Sequence, residues 1–450
     1  MDTRERLGFA VAGFGQNLIY NWVALYLLAY LYDGAGLSTN GIATLTVILS
    51  ACKVWDAISD LLVGLLVDRT RTRWGTFRIY PLITAVPIAA LTAWLFHVPA
   101  GSETRKLVVI GLAYVLWSVV FTTSDVPYWS LTNVITTDDE SRSRLVGWAR
   151  TAAMLGLAVV TLVGAPLAVA LSGGGTKATG TGWGRATLVV ASIGMALFTL
   201  AFFVTTERVR HRPHPLPFRA ALRQFTANRP LFLILISGVL CFGQLMIQVG
   251  GAVVAAVVFG DVRYFTVLGA ALIGGMLVAT LATPRLLRHT TRREFMRRIL
   301  IGLSLSYVLL YAVGYASVAR VAAAIAVNGL FLGAYTVTQT MMIGDTANYV
   351  EALTGDRIDG ACFAGLTFVT KLNSALATMV FGLVVAWVGY QSDGFVTGSM
   401  RSGIWLALTV LPAVSALLGL LPLRWYAVPE RDLPALLAAR RGSVDAVAVE

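Results

Sequence analysis

Charge is scarce in this chain. Only 13% of its 450 residues are Asp, Glu, Lys or Arg, against about 25% in ordinary soluble domains. Histidine occurs four times and cysteine three times. Cys52, Cys241 and Cys362 lie in or beside apolar segments, with no metal-binding spacing and no even-numbered disulfide framework. No nucleophile–base pair and no metal cluster stands out, so the sequence does not describe an enzyme or a resident cofactor.

What is abundant is apolar surface. Hydrophobic residues make up 57% of the chain, and the excess runs along its whole length. This predicts an all-α polytopic membrane protein. About twelve segments meet the ~20-residue requirement for a bilayer span: 7–32, 40–68, 78–98, 107–134, 145–172, 185–206, 229–259, 262–286, 299–316, 319–345, 360–389 and 403–424. The net charge of +12 is concentrated in alternate loops. Arg69, Arg71, Arg73 and Arg78 form one group, Arg142 and Arg144 another. Arg208 to Arg223 and Arg285 to Arg298 supply two more. That is the positive-inside pattern and not a nucleic-acid-binding surface. It puts both termini and the central loop in the cytoplasm of a multi-pass inner-membrane protein. The first apolar segment has no small-residue cleavage site after it, so it is expected to be a retained helix.

A basic, proline-bearing loop separates six segments from six. The expected organisation is a six-helix bundle over 1–206, a cytoplasmic loop over 207–228, a second six-helix bundle over 229–425 and a cytoplasmic tail over 426–450. Six spans on either side of a basic loop suggest two six-helix halves. Within the loop, residues 218–225 are amphipathic and suited to the inner leaflet.

The informative residues are the charges inside the apolar segments. Asp56 and Asp60 in Trp55-Asp-Ala-Ile-Ser-Asp60 lie one helical turn apart, with Ser59 beside them. A carboxylate at membrane depth costs about 3 kcal/mol to insert. Repulsion between the two adds roughly 3 kcal/mol at an effective dielectric of ~20. Lys53 could pair with Asp56 as a structural ion pair, which leaves Asp60 without a counter-charge. The alternative is a cation site, where hard oxygen ligands suit Na⁺, Li⁺ or H⁺ better than a transition metal. In the fourth segment Thr122, Asp125 and Trp129 follow helical spacing. A carboxylate to accept hydroxyl protons beside a ring to cover a pyranose makes a sugar platform, while Trp129 alone is ordinary packing. Lys371 lies deep in the eleventh segment with Thr367 one turn before it. It is either a neutralising partner for an aspartate or a link between halves. Asp68, Arg69 and Arg73 cap the cytoplasmic end of the second segment and serve as topology signal, gate or both.

These residues resemble the glycoside–pentoside–hexuronide:cation symporter family of the major facilitator superfamily, typified by melibiose permease. The likeness is carried by Trp55 to Asp60, Asp68 to Phe77, Asp125-Val-Pro-Tyr-Trp-Ser-Leu131 and Asn228-Arg-Pro230. It continues through Asp345-Thr-Ala-Asn-Tyr349, Gly355-Asp-Arg357, Gly360 and Lys371. The resemblance implies cation-coupled solute uptake by alternating access, with the lipid bilayer and a small glycoside or related sugar as partners, and a monomeric carrier. It implies a cation site of Asp56, Ser59, Asp60, Thr122 and Asp125. It implies a solute site of Asn17, Asp125, Trp129, Arg150, Thr367 and Lys371. Two positions depart from the type member: Asn17 replaces an aspartate that grips galactosyl hydroxyls, and Ser59 replaces an asparagine. The competing expectations are a proton-coupled exporter or lysolipid carrier on the same fold, and a non-transporting sensor.

Overall fold

The computed structural model describes residues 2–34, 37–69, 72–98, 101–132, 134–136, 139–173, 178–208, 228–287, 290–354, 359–390, 396–429 and 433. For 33–34, 57–69, 139–140, 142–143, 284, 351, 353–354, 359–361 and 363–364 the backbone alone is described. The amphipathic piece at 218–225, the tail beyond 433 and Gly355 to Arg357 lie outside the described residues.

Each of the twelve expected segments falls on helix. They are α1 (Thr3–Gly34), α2 (Thr39–Arg69), α3 (Tyr80–Leu95), α4 (Glu103–Leu131), α5 (Asp139–Ala170), α6 (Gly180–Val204), α7 (Arg229–Leu240), α8 (Met246–Val257), α9 (Tyr264–Leu286), α10 (Arg292–Val313), α11 (Val318–Thr354), α12 (Asp359–Trp387), α13 (Gly398–Leu418) and α14 (Leu420–Leu423). Among the described residues, eight helices are long and apolar enough to cross a membrane, and nine if α7 and α8 count as one interrupted span.

Most helix ends lie a few residues from the expected bounds, and three of the departures have a plain local reason. The 229–259 segment breaks into α7 and α8 around a 3-10 turn, Phe242–Leu245. The Ser415 hydroxyl satisfies the break by accepting from the Gly243 amide at 2.9 Å and donating to the Leu240 carbonyl at 2.7 Å. Helix α10 starts at Arg292, ahead of the expected 299, because the Thr291 hydroxyl caps it by accepting from the Glu294 amide. Helix α11 runs past 345 to Thr354. Asp345 does not end the span, since Arg292 pairs with it.

The chain forms two compact units. The first comprises Met1–Pro213, Ile247–Ala270 and Thr378–Trp405. It is tied together by aromatic residues that keep a polar tip satisfied in an apolar interior. The Trp22 indole donates to Thr187 on α6 at 2.9 Å, and the Tyr26 hydroxyl donates to the Val160 carbonyl of α5 at 3.0 Å. Tyr128 of α4 donates to the Phe9 carbonyl at 2.8 Å and stacks on the Phe9 ring at 4.4 Å. The Trp117 indole donates to Thr92 of α3 at 2.9 Å. These bonds fix α1 against α4, α5 and α6, which is what positions the polar residues below.

At the end of the first unit, carboxylates do structural work. Glu207 accepts from the amides of Thr76, Phe77 and Arg78 at 2.9, 2.7 and 2.8 Å. The loop between α2 and α3 can approach it this closely because Gly75 has φ +120° and no side chain, where a Cβ would overlap the Glu207 carboxyl. Arg78 donates through Nε to the Phe202 carbonyl at 2.6 Å. Glu5 is buried and holds Arg208 at 2.9 Å.

The second unit comprises His214–Met246, Ala271–Ala377 and Leu406–Glu450. Its polar ties are Asn228 to the Thr346 carbonyl at 3.3 Å, Asn328 to Ser306 at 3.0 Å and Asn373 to the Gly238 carbonyl at 3.0 Å. Arg293 donates to the carbonyls of Leu423 and Arg424 at 3.0 and 2.6 Å. The arginine-rich first turn of α10 therefore closes a helix end as well as carrying charge.

Charge-assisted hydrogen bonds are the stronger kind. Replacing Glu207 by alanine orphans three amides, and the expected loss is about 2 kcal/mol after partial compensation by water. A thermal-unfolding midpoint in detergent should fall for Glu207→Ala and stay nearer the parent for Glu207→Gln; equal midpoints for the parent and the alanine variant would show that solvent replaces these bonds fully.

Candidate functional site

Two polar clusters sit side by side in the first unit, and α4 contributes to both. The first is built on Asp56 of α2. Its Oδ1 accepts from the Ser118 hydroxyl at 2.6 Å and from the Thr122 hydroxyl at 3.3 Å. Ser118 and Thr122 are one turn apart on α4, so helical spacing aims both hydroxyls at the same oxygen. Hydrogen bonds to an ionised group contribute about 1.5–3 kcal/mol each, comparable with the ~3 kcal/mol that a carboxylate costs at membrane depth. The two hydroxyls thus offset much of the cost of Asp56 in an apolar helix, and they are the ligand type a hard cation takes.

The second cluster is built on Asp125, one turn further along α4. Its Oδ1 accepts from the Gln16 amide at 3.1 Å and from the Trp129 indole at 3.1 Å. The Arg150 guanidinium of α5 stacks over the Trp129 ring with Cζ 4.1 Å from its centroid, a cation–π arrangement. Asn17 of α1 donates to the Gly13 carbonyl at 2.9 Å, and Asn21 donates to the Asn17 carbonyl at 2.8 Å. A carboxylate can only accept, so Gln16 must turn its amide nitrogen to Asp125. Its Oε1 is then left as a buried acceptor with no hydrogen-bond partner among the described residues.

The structure therefore sorts the expected residues. Asp56 and Thr122 are brought together, and Asp125, Trp129 and Arg150 are brought together, with Asn17 next to Gln16 on α1. The spacing of Thr122, Asp125 and Trp129 suggested one common platform, but Thr122 turns to Asp56, while Asp125 accepts from Trp129. The side chains of Ser59, Asp60, Asp68 and Arg69 lie outside the described residues. Arg73 is exposed and stacks on Trp74 with Cζ 4.0 Å from the ring centroid. Thr367 and Lys371 lie one turn apart on the part of α12 that belongs to the second unit; Thr367 is exposed and Lys371 is half-buried.

Two residues of these clusters escaped the sequence reading. Ser118 stands four residues before Thr122, and that spacing was the available signal. Gln16 is visible as a polar residue in an apolar segment, but nothing in the sequence pairs it with a residue more than a hundred positions away.

Residues 8–430 match the model of a family described as MFS/sugar transport protein. The chain is 30% identical over 444 residues to the inner membrane symporter YicJ of Escherichia coli (strain K12), covering 97% of this chain and 94% of that protein. It is 28% identical over 413 residues to the putative glycoside/cation symporter YagG of the same organism, covering 88% and 85%. Among solved structures, a bacterial homologue of the human lysosomal transporter Spinster matches with a TM-score of 0.71 at 14% identity, covering 98% of each chain. That likeness concerns the fold alone. The chain belongs to the MFS/sugar transport protein family, within it to the glycoside–pentoside–hexuronide:cation symporters that its sequence resembles, and is a membrane transporter and not an enzyme.

Proposed function

We propose that the protein couples entry of a cation to uptake of a glycoside or related sugar, with the cation at Asp56 and the solute at Asp125. One observation carries this reading. Helix α4 supplies the hydroxyls of Ser118 and Thr122 to Asp56, and one turn later it supplies Asp125 and Trp129. A change at the first cluster moves the helix that carries the second. Names borne by the similar proteins, symporter and glycoside/cation symporter, support the same pairing of cargo and ion.

The chemistry fits each role. A cation entering beside Asp56 takes the place of hydroxyl hydrogens and turns the Ser118 and Thr122 oxygens into ligands. The family resemblance adds Asp60, one turn along α2 in the sequence, as a second carboxylate and Ser59 as a third hydroxyl. The ion is Na⁺, Li⁺ or H⁺, all of which relieve repulsion between two carboxylates. At the second cluster Asp125 accepts from solute hydroxyls and the Gln16 Oε1 accepts from another. Trp129 covers an apolar sugar face, and the Arg150 guanidinium donates at its edge. Asn17 brings a donor and an acceptor without charge, which favours a neutral solute contact there.

By linkage, an ion that tightens solute binding is itself bound more tightly by the same factor when solute is present. Rocking of the two six-helix halves then carries both across, with the arginine-rich loops, both termini, Asp68, Arg69 and Arg73 on the cytoplasmic side. We read the carrier as a monomer.

Three measurements test this. Thermal-shift screening of the purified protein against glycosides, pentoses and hexuronides, with and without Na⁺ at two pH values, should give stabilisation by one solute class that grows when the ion is present. Stabilisation indifferent to both Na⁺ and pH would remove the coupling. Asp56→Asn should abolish cation-stimulated uptake while the protein still inserts in the membrane, and undiminished cation-driven accumulation in this variant would exclude Asp56 as the ion site. Trp129→Ala should weaken solute binding about tenfold, the worth of one aromatic face; an unchanged dissociation constant would make Trp129 a packing residue.

A further inference from the structure

Lys53 is one turn before Asp56 on α2, and its Nζ donates to the Thr378 hydroxyl of α12 at 2.7 Å. Thr378 is fully buried. Both residues belong to the first unit. The bond is not an isolated touch, because α2 and this stretch of α12 are also pressed together at a second point. Gly382, one turn beyond Thr378, has no side chain, and a Cβ there would overlap Thr46 of α2 and crowd the Tyr32 hydroxyl. Thr46 is itself held in place: its hydroxyl donates to the Ile42 carbonyl at 2.8 Å and lies 3.2 Å from the Tyr32 hydroxyl. The steric contact at Gly382 sets the register of the two helices, and that register brings the Thr378 hydroxyl to the lysine.

An ammonium one helical turn from a carboxylate is a resident competitor for any cation that the carboxylate is meant to bind. At an effective dielectric of ~20, a charge about 6 Å away is felt strongly enough to change ion affinity by tenfold or more. The competition depends on where the ammonium sits. A hydroxyl acceptor on α12 engages one of its three donors and draws the head group towards that helix. We propose that Thr378 is a positioning residue that sets the cation affinity of Asp56 by holding Lys53. This inference rests on the reading of Asp56 as the cation site. Removing the hydroxyl lets the ammonium fall back on Asp56, and the ion then competes less well. Removing the ammonium altogether takes the competitor away. The two changes act in opposite directions, which a general loosening of the helix pair does not reproduce.

The experiment is a set of cation-activation curves for solute uptake in reconstituted vesicles, using Na⁺ at fixed pH, or protons across a pH series if Na⁺ leaves the parent unaffected. Thr378→Val should raise the activation constant about threefold, the worth of one hydrogen bond to a charged group lost in part. Thr378→Ser should restore the parent value. Lys53→Gln should lower the constant about tenfold, and Thr378→Val should have no further effect on the Lys53→Gln background. Solute affinity at saturating cation should stay within about twofold in every variant, because neither residue belongs to the Asp125 cluster. Where a variant no longer transports, cation-induced thermal stabilisation of the purified protein supplies the same comparison. An unmoved constant in Thr378→Val, or a Thr378→Val effect that persists without Lys53, overturns the inference. The two readings fail separately: cation stimulation that survives in Asp56→Asn removes the ion site itself, whereas its loss there, with unmoved constants at positions 53 and 378, removes only the role of Thr378.

Discussion

The hydrogen bonds from Ser118 and Thr122 to Asp56 are the constraint around which the first unit is arranged. A carboxylate in an apolar helix must find donors, and its own helix has already committed its backbone amides to the ladder. The donors therefore come from another helix, and α2 is bound to α4 at a fixed depth and rotation. Once α4 is fixed, Asp125 and Trp129 are delivered to the face of α1 that carries Gln16, and Arg150 of α5 settles on the indole. The Asp56 cluster and the Asp125 cluster are adjacent because they draw on consecutive turns of one rod.

The same economy governs the remaining charges. Glu5, Glu207 and Asp345 each hold a guanidinium or backbone amides that would otherwise be stranded at helix ends. Many arginines that mark loop topology have a second use in packing: Arg78 closes on the end of α6, Arg293 on α14, Arg208 on Glu5 and the Ile135 carbonyl. Hydroxyl groups inside the helices follow the local solution and donate to carbonyls one turn back, as Thr84, Thr92, Thr187 and Thr338 do. Ser118 and Thr122 differ in that their hydroxyls meet a carboxylate of another helix.

Other bonds between helices, such as Asn328 to Ser306, Asn373 to the Gly238 carbonyl and Trp117 to Thr92, join neutral groups. Those at Asp56, Asp125 and Lys53 bring in a carboxylate or an ammonium. Under the proposed function these are the bonds that a shift of α2 or α4 would have to remake.

The sequence by itself determined the membrane class, the helix for each of the twelve segments, and which aspartates lie inside apolar segments. Hydropathy and helical periodicity are local properties that need no partner to be read. Helix ends were less legible, because caps such as Thr291 and the Asp345–Arg292 pair extend helices beyond their apolar runs. Only the tertiary structure decided which polar residues meet. That Thr122 turns to Asp56 while Asp125 turns to Gln16 and Trp129, and that Lys53 reaches Thr378, depends on the rotation of whole helices about one another. Rotation is set by the packing of many apolar side chains together, and no spacing along the chain records it.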